Sequence, residues 1–139
     1  FKDIKLNFTP NSLYSQAFYN LYREDENTYG RIISEKINDE YASLLKGYLP
    51  RGTKAKSNVI YMNYKAINNN QEDSIEKLSQ SMNLGVSYKE ALIEDENGLN
   101  IYKFDGNDKW IPLDNQQSKS GKYLSSEIDS PGYYIILEK

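Results

Sequence analysis

The second half of the chain alternates short apolar segments with residues that favour turns. Turn signals lie at Asn97-Gly98, at Asp105-Gly106-Asn107-Asp108 and at Ser130-Pro131-Gly132, where Gly and Pro supply the backbone angles of tight turns. Asn-Gly in particular is a strong signal for a β-hairpin. The pattern predicts an antiparallel meander of five strand-like segments, the last two at 123–128 and 133–138, as in β-sandwiches and barrels.

The segment 99–104 carries apolar residues on both of its faces. Leu99 and Ile101 share one face, and Tyr102 and Phe104 share the other, because successive side chains of a strand point in opposite directions. A second sheet packed about 10 Å away would cover the inward set. We expect that second sheet to come from residues 1–67, where the strands are predicted in IKLNFTP and in SNVIYMNYKAI, residues 57–67.

The intervening residues 11–46 are compatible with two structures. Apolar residues recur there at helical spacing, first at Tyr14, Phe18 and Tyr22, and then at Ile33, Ile37, Tyr41 and Leu44 or Leu45. This spacing allows helices, but bulky aromatic residues such as those in NSLYSQAFYNLYRED, residues 11–25, also suit a half-buried strand. Local pattern alone leaves both alternatives open.

An Asn-rich insert, NNNQEDSIEKLSQSMNLG, occupies residues 68–85. One short helix near residues 73–82 would begin with Asp73 as its N-cap and Glu76 completing a capping box, and an irregular excursion is the alternative. The remaining patterns predict an all-β fold, an antiparallel β-sandwich or barrel, as a single domain spanning residues 1–139. A chain of 139 residues is long enough to bury such a core.

The sequence contains neither Cys nor His. It therefore has no thiolate nucleophile, no imidazole base and no ordinary zinc ligand set. The acidic residues form no recognisable catalytic motif, and RGTKAKS at residues 51–57 lacks the frame of a phosphate-binding loop. We expect a protein that is not an enzyme and that needs no cofactor or metal.

The charge pattern argues against nucleic acid as a partner. Seventeen basic and 20 acidic residues give a formal net charge of -3, and the two signs are interspersed, whereas nucleic-acid binding needs a basic face. The best basic cluster, Arg51, Lys54 and Lys56 beside Gly52, is interpreted as a solvated turn. No apolar run approaches the roughly 18 residues of a membrane span, so we expect no membrane insertion.

Aromatic residues are the main candidates for a binding surface. Trp110, the single tryptophan, could form a platform for a sugar ring, although packing against the neighbouring strand is the better interpretation. The tyrosines cluster at Tyr14, Tyr19 and Tyr22 and again at Tyr133 and Tyr134. Such clusters either bind a partner or cover the faces of a sheet, and we favour the structural role.

Two acidic loops could offer oxygen ligands to calcium. One contains Asp105, Asn107 and Asp108, and the other contains Asp95, Glu96 and Asn97. A calcium loop needs six or more oxygens at defined positions, and neither loop has that frame. Hairpin turns therefore explain both loops better than a metal site does.

Three stretches resemble a domain family. IYKFDGNDKWIPLD, followed after a polar gap by SSEIDSPGYYIILEK, is similar to the closing strands of accessory Ig-like β-sandwich domains in bacterial extracytoplasmic proteins, such as those C-terminal to lysostaphin-like zinc endopeptidases. IKLNFTPNSLYSQAFYNLYRE resembles the opening strands of the same domains. The resemblance implies that Leu13, Tyr14, Phe18 and Tyr22 belong to strands. The Asn-rich insert at 68–85 departs from the family pattern.

The resemblance also implies a function. It predicts a non-catalytic accessory domain of a secreted or envelope-anchored bacterial protein, located in the periplasm or outside the cell. Such a domain would position or dock a neighbouring domain, or contact a cell-surface protein or glycan. The alternatives are a carbohydrate-binding module that uses exposed aromatic residues and an α+β domain of unknown role.

Overall fold

A computed structural model describes residues 4–7, 28–68, 71–74, 82–113, 118–120 and 123–139. The described residues form mostly strands, as the sequence pattern predicts, together with one α-helix and two short 3-10 turns. The strands are β1 Ile4–Asn7, β2 Thr28–Lys36, β3 Lys54–Ala55, β4 Ile60–Asn68, β5 Gln71–Ser74, β6 Met82–Ser87, β7 Leu99–Phe104, β8 Trp110–Pro112, β9 Ser118–Ser120, β10 Tyr123–Ile128 and β11 Gly132–Glu138. The helix is α1 Asp39–Lys46, and the 3-10 turns are Glu90–Leu92 and Glu96–Gly98.

The strands form two antiparallel sheets. The small sheet has the order β1-β6-β10-β9. The large sheet has the order β2-β4-β11-β7-β8, with β5 paired to β4 and β3 paired to β11. Because each sheet combines strands from both halves of the chain, the expectation that residues 1–67 supply a second sheet of their own is wrong.

The turn at Ser130-Pro131-Gly132 connects the two sheets. The strand before it, β10, lies in the small sheet, whereas β11 lies in the large one, so the predicted continuous meander is wrong at this point. Both strands nevertheless lie where the sequence predicts them. Gly132 has φ of 144°, a value that favours glycine, and a Cβ at this position would lie 3.0 Å from Cε of Lys103.

The predicted hairpin at Asn97-Gly98 is wrong. These residues end a 3-10 turn, Glu96–Gly98, and neither has a positive φ among the described residues. The carboxylate of Asp95 accepts a hydrogen bond from the Asn97 N–H at 3.0 Å, and the Gly98 carbonyl accepts one from the Lys139 N–H at 3.0 Å. These two hydrogen bonds, one from the Asp95 side chain and one from Lys139 after β11, override the hairpin preference of the Asn-Gly dipeptide.

The hairpin predicted around Asp105-Gly106-Asn107-Asp108 is confirmed. It joins β7 to β8, with Phe104 opposite Trp110. The Asp105 carboxylate accepts hydrogen bonds from the N–H groups of Asn107 at 2.8 Å and Lys109 at 3.2 Å. Gly106 and Asp108 have φ of 82° and 62°, so the loop reverses the chain through two left-handed residues.

Residues 28–46 contain both a strand and a helix. Ile33 lies in β2, whereas Tyr41, Leu44 and Leu45 lie in α1. The Asn38 side chain caps α1 by accepting a hydrogen bond from the Tyr41 N–H at 2.8 Å, and Lys46 in the last turn suits the helix dipole. Long helices are therefore absent from residues 28–46. The prediction that Leu13, Tyr14, Phe18 and Tyr22 belong to strands concerns residues outside the described ranges.

The Asn-rich segment 68–85 contributes strands to both sheets. Asp73, the predicted N-cap, lies in β5, and the segment ends within β6. Met82 and Leu84 of β6 are fully buried. Residues 75–81, which would form the body of the predicted helix, lie outside the described residues.

The large sheet carries one hydrophobic cluster on each face. The central cluster includes side chains of both sheets: Ile60, Met62, Tyr64, Met82, Leu84, Val86, Tyr88, Ile101, Leu124, Ile128, Tyr134 and Ile136. The helix-side cluster lies beneath α1 and consists of Leu45, Val59, Tyr102, Trp110, Ile135 and Leu137. The two faces predicted for β7 are confirmed, since Leu99 and Ile101 pack in the first cluster and Tyr102 and Phe104 in the second.

Candidate functional site

A groove of about 830 Å³ lies beside α1 at one end of the large sheet. Three parts of the chain form it: α1, the β7–β8 hairpin with the residues after it, and the turn that leads into β11. The residues that line this aromatic groove are Tyr41, Lys103, Phe104, Asp105, Gly106, Ile111, Pro112, Leu113, Pro131, Gly132 and Tyr133. Its walls are thus mainly aromatic and aliphatic, with Lys103 and Asp105 as the two charged residues among them.

The rings around the groove contact each other at steep angles. Tyr41 and Tyr133 have centroids 5.6 Å apart and planes 63° apart, and Phe104 meets Trp110 at 5.2 Å with the same 63° angle. Tyr48 adds a further contact with Phe104 at 5.9 Å and 43°. These edge-to-face and tilted arrangements are favourable between aromatic rings. They produce a notched surface rather than a flat one.

The residues in and beside the groove differ in how much of their surface is exposed to solvent. Tyr41 is 38% exposed and Ile111 is 46% exposed, so both present apolar surface to solvent. Trp110 is only 3% exposed, and its indole Nε1 donates a hydrogen bond to the Leu45 carbonyl at 2.9 Å. The packing role predicted for Trp110 is therefore confirmed, and this residue cannot act as an exposed platform for a sugar.

The tyrosine pair at the start of β11 has two different roles. Tyr133 lines the groove, whereas Tyr134 is 1% exposed and packs in the central cluster. The Tyr134 hydroxyl donates to the Ser130 carbonyl at 2.7 Å, and burial raises the pKa of this hydroxyl. Tyr134 is thus a neutral structural group. The other predicted tyrosine cluster, Tyr14, Tyr19 and Tyr22, lies outside the described residues.

Lys103 is the cationic residue of the groove. Its ammonium group donates a hydrogen bond to the Ser130 hydroxyl and lies 5.9 Å from the centroid of the Tyr134 ring. Partial burial lowers the pKa of Lys103, and the nearby carboxylate of Asp129 opposes that effect. The side chain also covers Gly132, so Lys103 is held against the turn that forms one wall of the groove.

In both acidic loops, an aspartate carboxylate accepts hydrogen bonds from backbone N–H groups of the same loop. Asp105 accepts hydrogen bonds from two N–H groups of its own hairpin, and Asp95 accepts one from Asn97. Asp108 adopts a left-handed conformation in the same hairpin as Asp105. Within the described ranges, no three residues of the Asp, Glu, His and Cys types lie close enough to hold a metal ion. The hairpin interpretation is thus confirmed for the Asp105 loop, whereas it is wrong for the Asp95 loop, where Asp95 caps a 3-10 turn.

The basic residues predicted to form a solvated turn have separate environments. Arg51 is exposed, and the Lys54 side chain is 69% exposed and lies 3.8 Å from a Glu94 carboxylate oxygen. Lys56 differs, because its side chain is only 12% exposed and pairs with Glu138 at 3.2 Å. Lys56 also donates to the Leu92 carbonyl at 2.6 Å. The solvated interpretation is therefore wrong for Lys56.

Glu138 anchors the segment after the first 3-10 turn to β11. One oxygen of its carboxylate accepts hydrogen bonds from the N–H groups of Asp95 at 2.5 Å and Glu94 at 2.7 Å. The other oxygen lies against Lys56. The hydrogen bond from Asp95 and then the contacts with Lys56 and Glu94 hold the pKa of Glu138 below its ordinary value of 4.5, although burial opposes this.

This carboxylate predicts a pH-dependent difference in stability. A group whose pKa is depressed in the folded state stabilises the fold above its unfolded pKa, and this contribution is lost as the pH falls through the folded pKa. We expect Glu138→Gln to be less stable than the wild type at neutral pH, with the difference shrinking as the pH falls below 4.5. Urea unfolding across a pH series measures this difference.

The control for the Glu138→Gln variant is Glu94→Gln, at an exposed residue whose backbone N–H contacts Glu138. The Glu94 side chain is 79% exposed, so Glu94→Gln should leave both the stability and its pH dependence close to those of the wild type. A difference between Glu138→Gln and the wild type that stays constant from neutral pH to acid would contradict the assigned role of the carboxylate.

Comparison with known proteins identifies no relative. A scan against protein-family models, a search of curated proteins and a search of solved structures each returned no match to this chain. The described part of the chain also contains no helix long and apolar enough to cross a membrane.

Proposed function

We propose that this chain is a non-catalytic accessory domain of a secreted or envelope-anchored bacterial protein, with an Ig-like β-sandwich fold. The shared central cluster of the two antiparallel sheets supports the sandwich. The motifs of the resemblance coincide with β7, β8, β10 and β11, which supports the relationship to extracytoplasmic domains. The domain docks a neighbouring domain or a cell-surface protein through the aromatic groove.

The observation that carries this proposal is the apolar surface exposed in the groove. Tyr41 and Ile111 expose 38% and 46% of their surface in a concave site of about 830 Å³. Aromatic and apolar side chains that combine a rigid shape with partial exposure are typical anchors of protein-binding surfaces. Because α1 and a β-hairpin hold them, these anchors are positioned before a ligand arrives.

The groove best suits an extended protein segment that contains proline. Aromatic rings set at angles form notches that accept the ridged surface of a polyproline II helix, and this conformation loses little entropy on binding. Addition of a strand to the sheet edge is a poorer mode here. Pro112 lies in β8 at the end of the large sheet, and a proline has no N–H to donate to an added strand.

Flat recognition of a sugar chain is less compatible with this surface. Sugar-binding platforms present solvent-exposed rings that are coplanar, whereas Tyr41 and Tyr133 lie 63° apart and Trp110 is buried. The binding test below therefore includes glycans, so that it also tests the carbohydrate-binding alternative.

The test compares variants at exposed residues inside the groove with variants at exposed residues outside it. Binding is measured on arrays of short proline-containing peptides and of bacterial surface glycans. Tyr41→Ala and Ile111→Ala should each weaken peptide binding by about 1–2 kcal/mol. The controls Leu44→Ala and Leu92→Ala replace residues that are 57% and 60% exposed and lie outside the groove lining, so they should bind as the wild type does.

Two results would overturn the docking role. Binding to glycans that Tyr41→Ala abolishes would assign the groove to a carbohydrate-binding module. Equal weakening by Tyr41→Ala and Leu44→Ala would mean that the groove is not the binding site. The location is tested separately by sequencing the complete reading frame, in which a signal peptide before the domain supports export and a cytoplasmic gene product without one refutes it.

A further inference from the structure

Lys103 is a cation without a counter-ion in the lining of the aromatic groove. It lies next to the turn into β11, opposite Tyr134 in the pair of β7 with β11. Its ammonium group donates to the Ser130 hydroxyl, and no carboxylate among the described residues forms an ion pair with it. Because an ammonium group has three N–H donors, this one can still donate to a ligand.

The residues around Lys103 hold its ammonium group in one position. The Ser130 carbonyl accepts hydrogen bonds from the Tyr134 hydroxyl at 2.7 Å and from the Tyr64 hydroxyl at 3.4 Å, so the residue that contacts the ammonium group is itself fixed. The lysine side chain also crosses Gly132, where a Cβ would lie 3.0 Å from Cε of Lys103. The glycine thus leaves the space in which the lysine lies. A charge that is positioned before binding loses little entropy when a ligand arrives.

The electrostatic environment of Lys103 favours a negative charge on the ligand. Partial burial lowers the pKa of Lys103, and the carboxylate of Asp129 opposes this effect without forming an ion pair with the ammonium group. A ligand carboxylate would therefore replace the hydration that burial removes. Asp105, the other charged residue of the lining, is exposed. Its carboxylate repels a ligand carboxylate, which directs that group toward Lys103.

We propose that Lys103 binds a carboxylate of the docked segment, so that the groove selects proline-containing segments with an acidic side chain or a free C-terminal carboxylate near the proline. This inference rests on the proposed docking function of the groove. Tyr41 and its ring partner Tyr133 contact the proline, and Lys103 donates to the carboxylate. The segment then binds in one direction, because its apolar and charged groups meet different parts of the lining.

The test measures binding of the whole chain to short polyproline peptides whose ends are acetylated and amidated. One series carries a single Glu at each position in turn, and the matched series carries Gln at the same positions. The best Glu peptide should bind roughly five- to tenfold more tightly than its Gln counterpart, an effect between that of an exposed ion pair and that of a buried hydrogen bond to a charged group. This preference should shrink as salt is added, because salt screens partly exposed charges.

A Gln peptide with a free C-terminal carboxylate identifies the source of the charge. Tighter binding of this peptide than of its amidated form indicates that the groove takes the end of a chain. Tighter binding of the Glu peptides indicates an acidic side chain. Either result supports the contact with Lys103.

Lys103→Met removes the charge and keeps an apolar side chain over Gly132. This variant should bind the Glu and Gln peptides equally, with the affinity of the wild type for the Gln peptide. Lys109→Gln is the matched control, because Lys109 lies in the same β7–β8 hairpin, is exposed and does not line the groove. It should keep the wild-type preference. If Lys109→Gln loses the preference as far as Lys103→Met does, the effect comes from the general charge of the surface and the proposal fails.

The wild type alone separates this inference from the docking function on which it rests. If no polyproline peptide binds, the docking function is overturned and the role of Lys103 falls with it. If the Glu, Gln and free-carboxylate peptides all bind equally, the docking function stands and the role of Lys103 is overturned. Because this comparison changes only the peptide, it decides the proposal even if Lys103→Met fails to fold.

Discussion

Replacing Trp110 by Ala will lower the free energy of unfolding by about 3–5 kcal/mol, as is usual for a fully buried tryptophan. Trp110 is 3% exposed and packs with Phe104 in the helix-side cluster. Its indole also donates to the Leu45 carbonyl at 2.9 Å, so the variant loses both the packing and a hydrogen bond between β8 and α1. We expect α1 to detach from the large sheet before the rest of the domain unfolds.

Urea unfolding followed by circular dichroism measures this loss. Trp110→Phe keeps an aromatic ring but loses the hydrogen bond from the indole to the Leu45 carbonyl, which keeps the one from the Tyr48 N–H at 3.2 Å. This variant should fall between the wild type and Trp110→Ala. Ile111→Ala is the control, because Ile111 is the next residue and is 46% exposed, so its cost should stay within about 0.5 kcal/mol. Similar unfolding midpoints for Trp110→Ala and Ile111→Ala would show that the helix-side cluster is not packed as described.

Replacing Ile136 by Ala will have an effect of similar size, about 2–5 kcal/mol. Ile136 is 0% exposed and packs in the central cluster, where side chains of the small and large sheets meet. A smaller side chain leaves a cavity between the sheets that the surrounding strands can fill only in part. Its neighbour Ile135 is equally buried but packs in the helix-side cluster.

This separation predicts additivity between two adjacent residues. Ile135→Val and Ile136→Val should each cost about 0.5–1.5 kcal/mol, and the double variant should cost their sum within about 0.5 kcal/mol. The two side chains lie in different clusters, so only a shift of their shared backbone would couple them, and Ile→Val removes too little volume to cause a large one. A coupling energy well above 1 kcal/mol in a double-mutant cycle would therefore refute the assignment of one cluster to each face of the large sheet.

The strands near the end of the chain were predictable because their signals are local. Apolar alternation and the turn residues around Gly106 and Gly132 correspond to β7, β8, β10 and β11. The signal for α1 was also present, since Asn38 precedes two acidic residues as a helix N-cap does. The helical spacing of Tyr41 and Leu45 allowed this helix, but its first residue was not predicted. The same spacing continues from Ile33, which belongs to β2, and the period alone cannot divide the two elements.

Strand pairing could not be derived in the same way. The pairs β1 with β6 and β11 with β4 join segments distant in sequence, and nothing in either segment specifies its partner. For the same reason the sequence suggested a meander at Pro131, where the chain actually changes sheets. The Asn97-Gly98 prediction failed because a distant contact, the hydrogen bond with Lys139, competes with a local preference.

The aromatic groove was hidden from sequence reasoning for a related reason. The aromatic groove combines Tyr41, Phe104, Ile111 and Tyr133 from three separate parts of the chain. Sequence reasoning placed Lys56 in a basic turn and missed its ion pair with Glu138. Only the pairing of the strands brings these residues together.

The position of β11 has a consequence for synthesis on the ribosome. This strand follows all the other described strands in the chain, yet it lies between β4 and β7 and its side chains enter both clusters. Until β11 has left the ribosome, the nascent chain exposes the apolar side chains of both clusters and the unpaired edges of β4 and β7. Chaperones typically bind such exposed apolar surface and strand edges. We therefore expect the domain to complete its fold only after β11 has left the ribosome, and a chain truncated before Gly132 lacks the strand that joins β4 to β7.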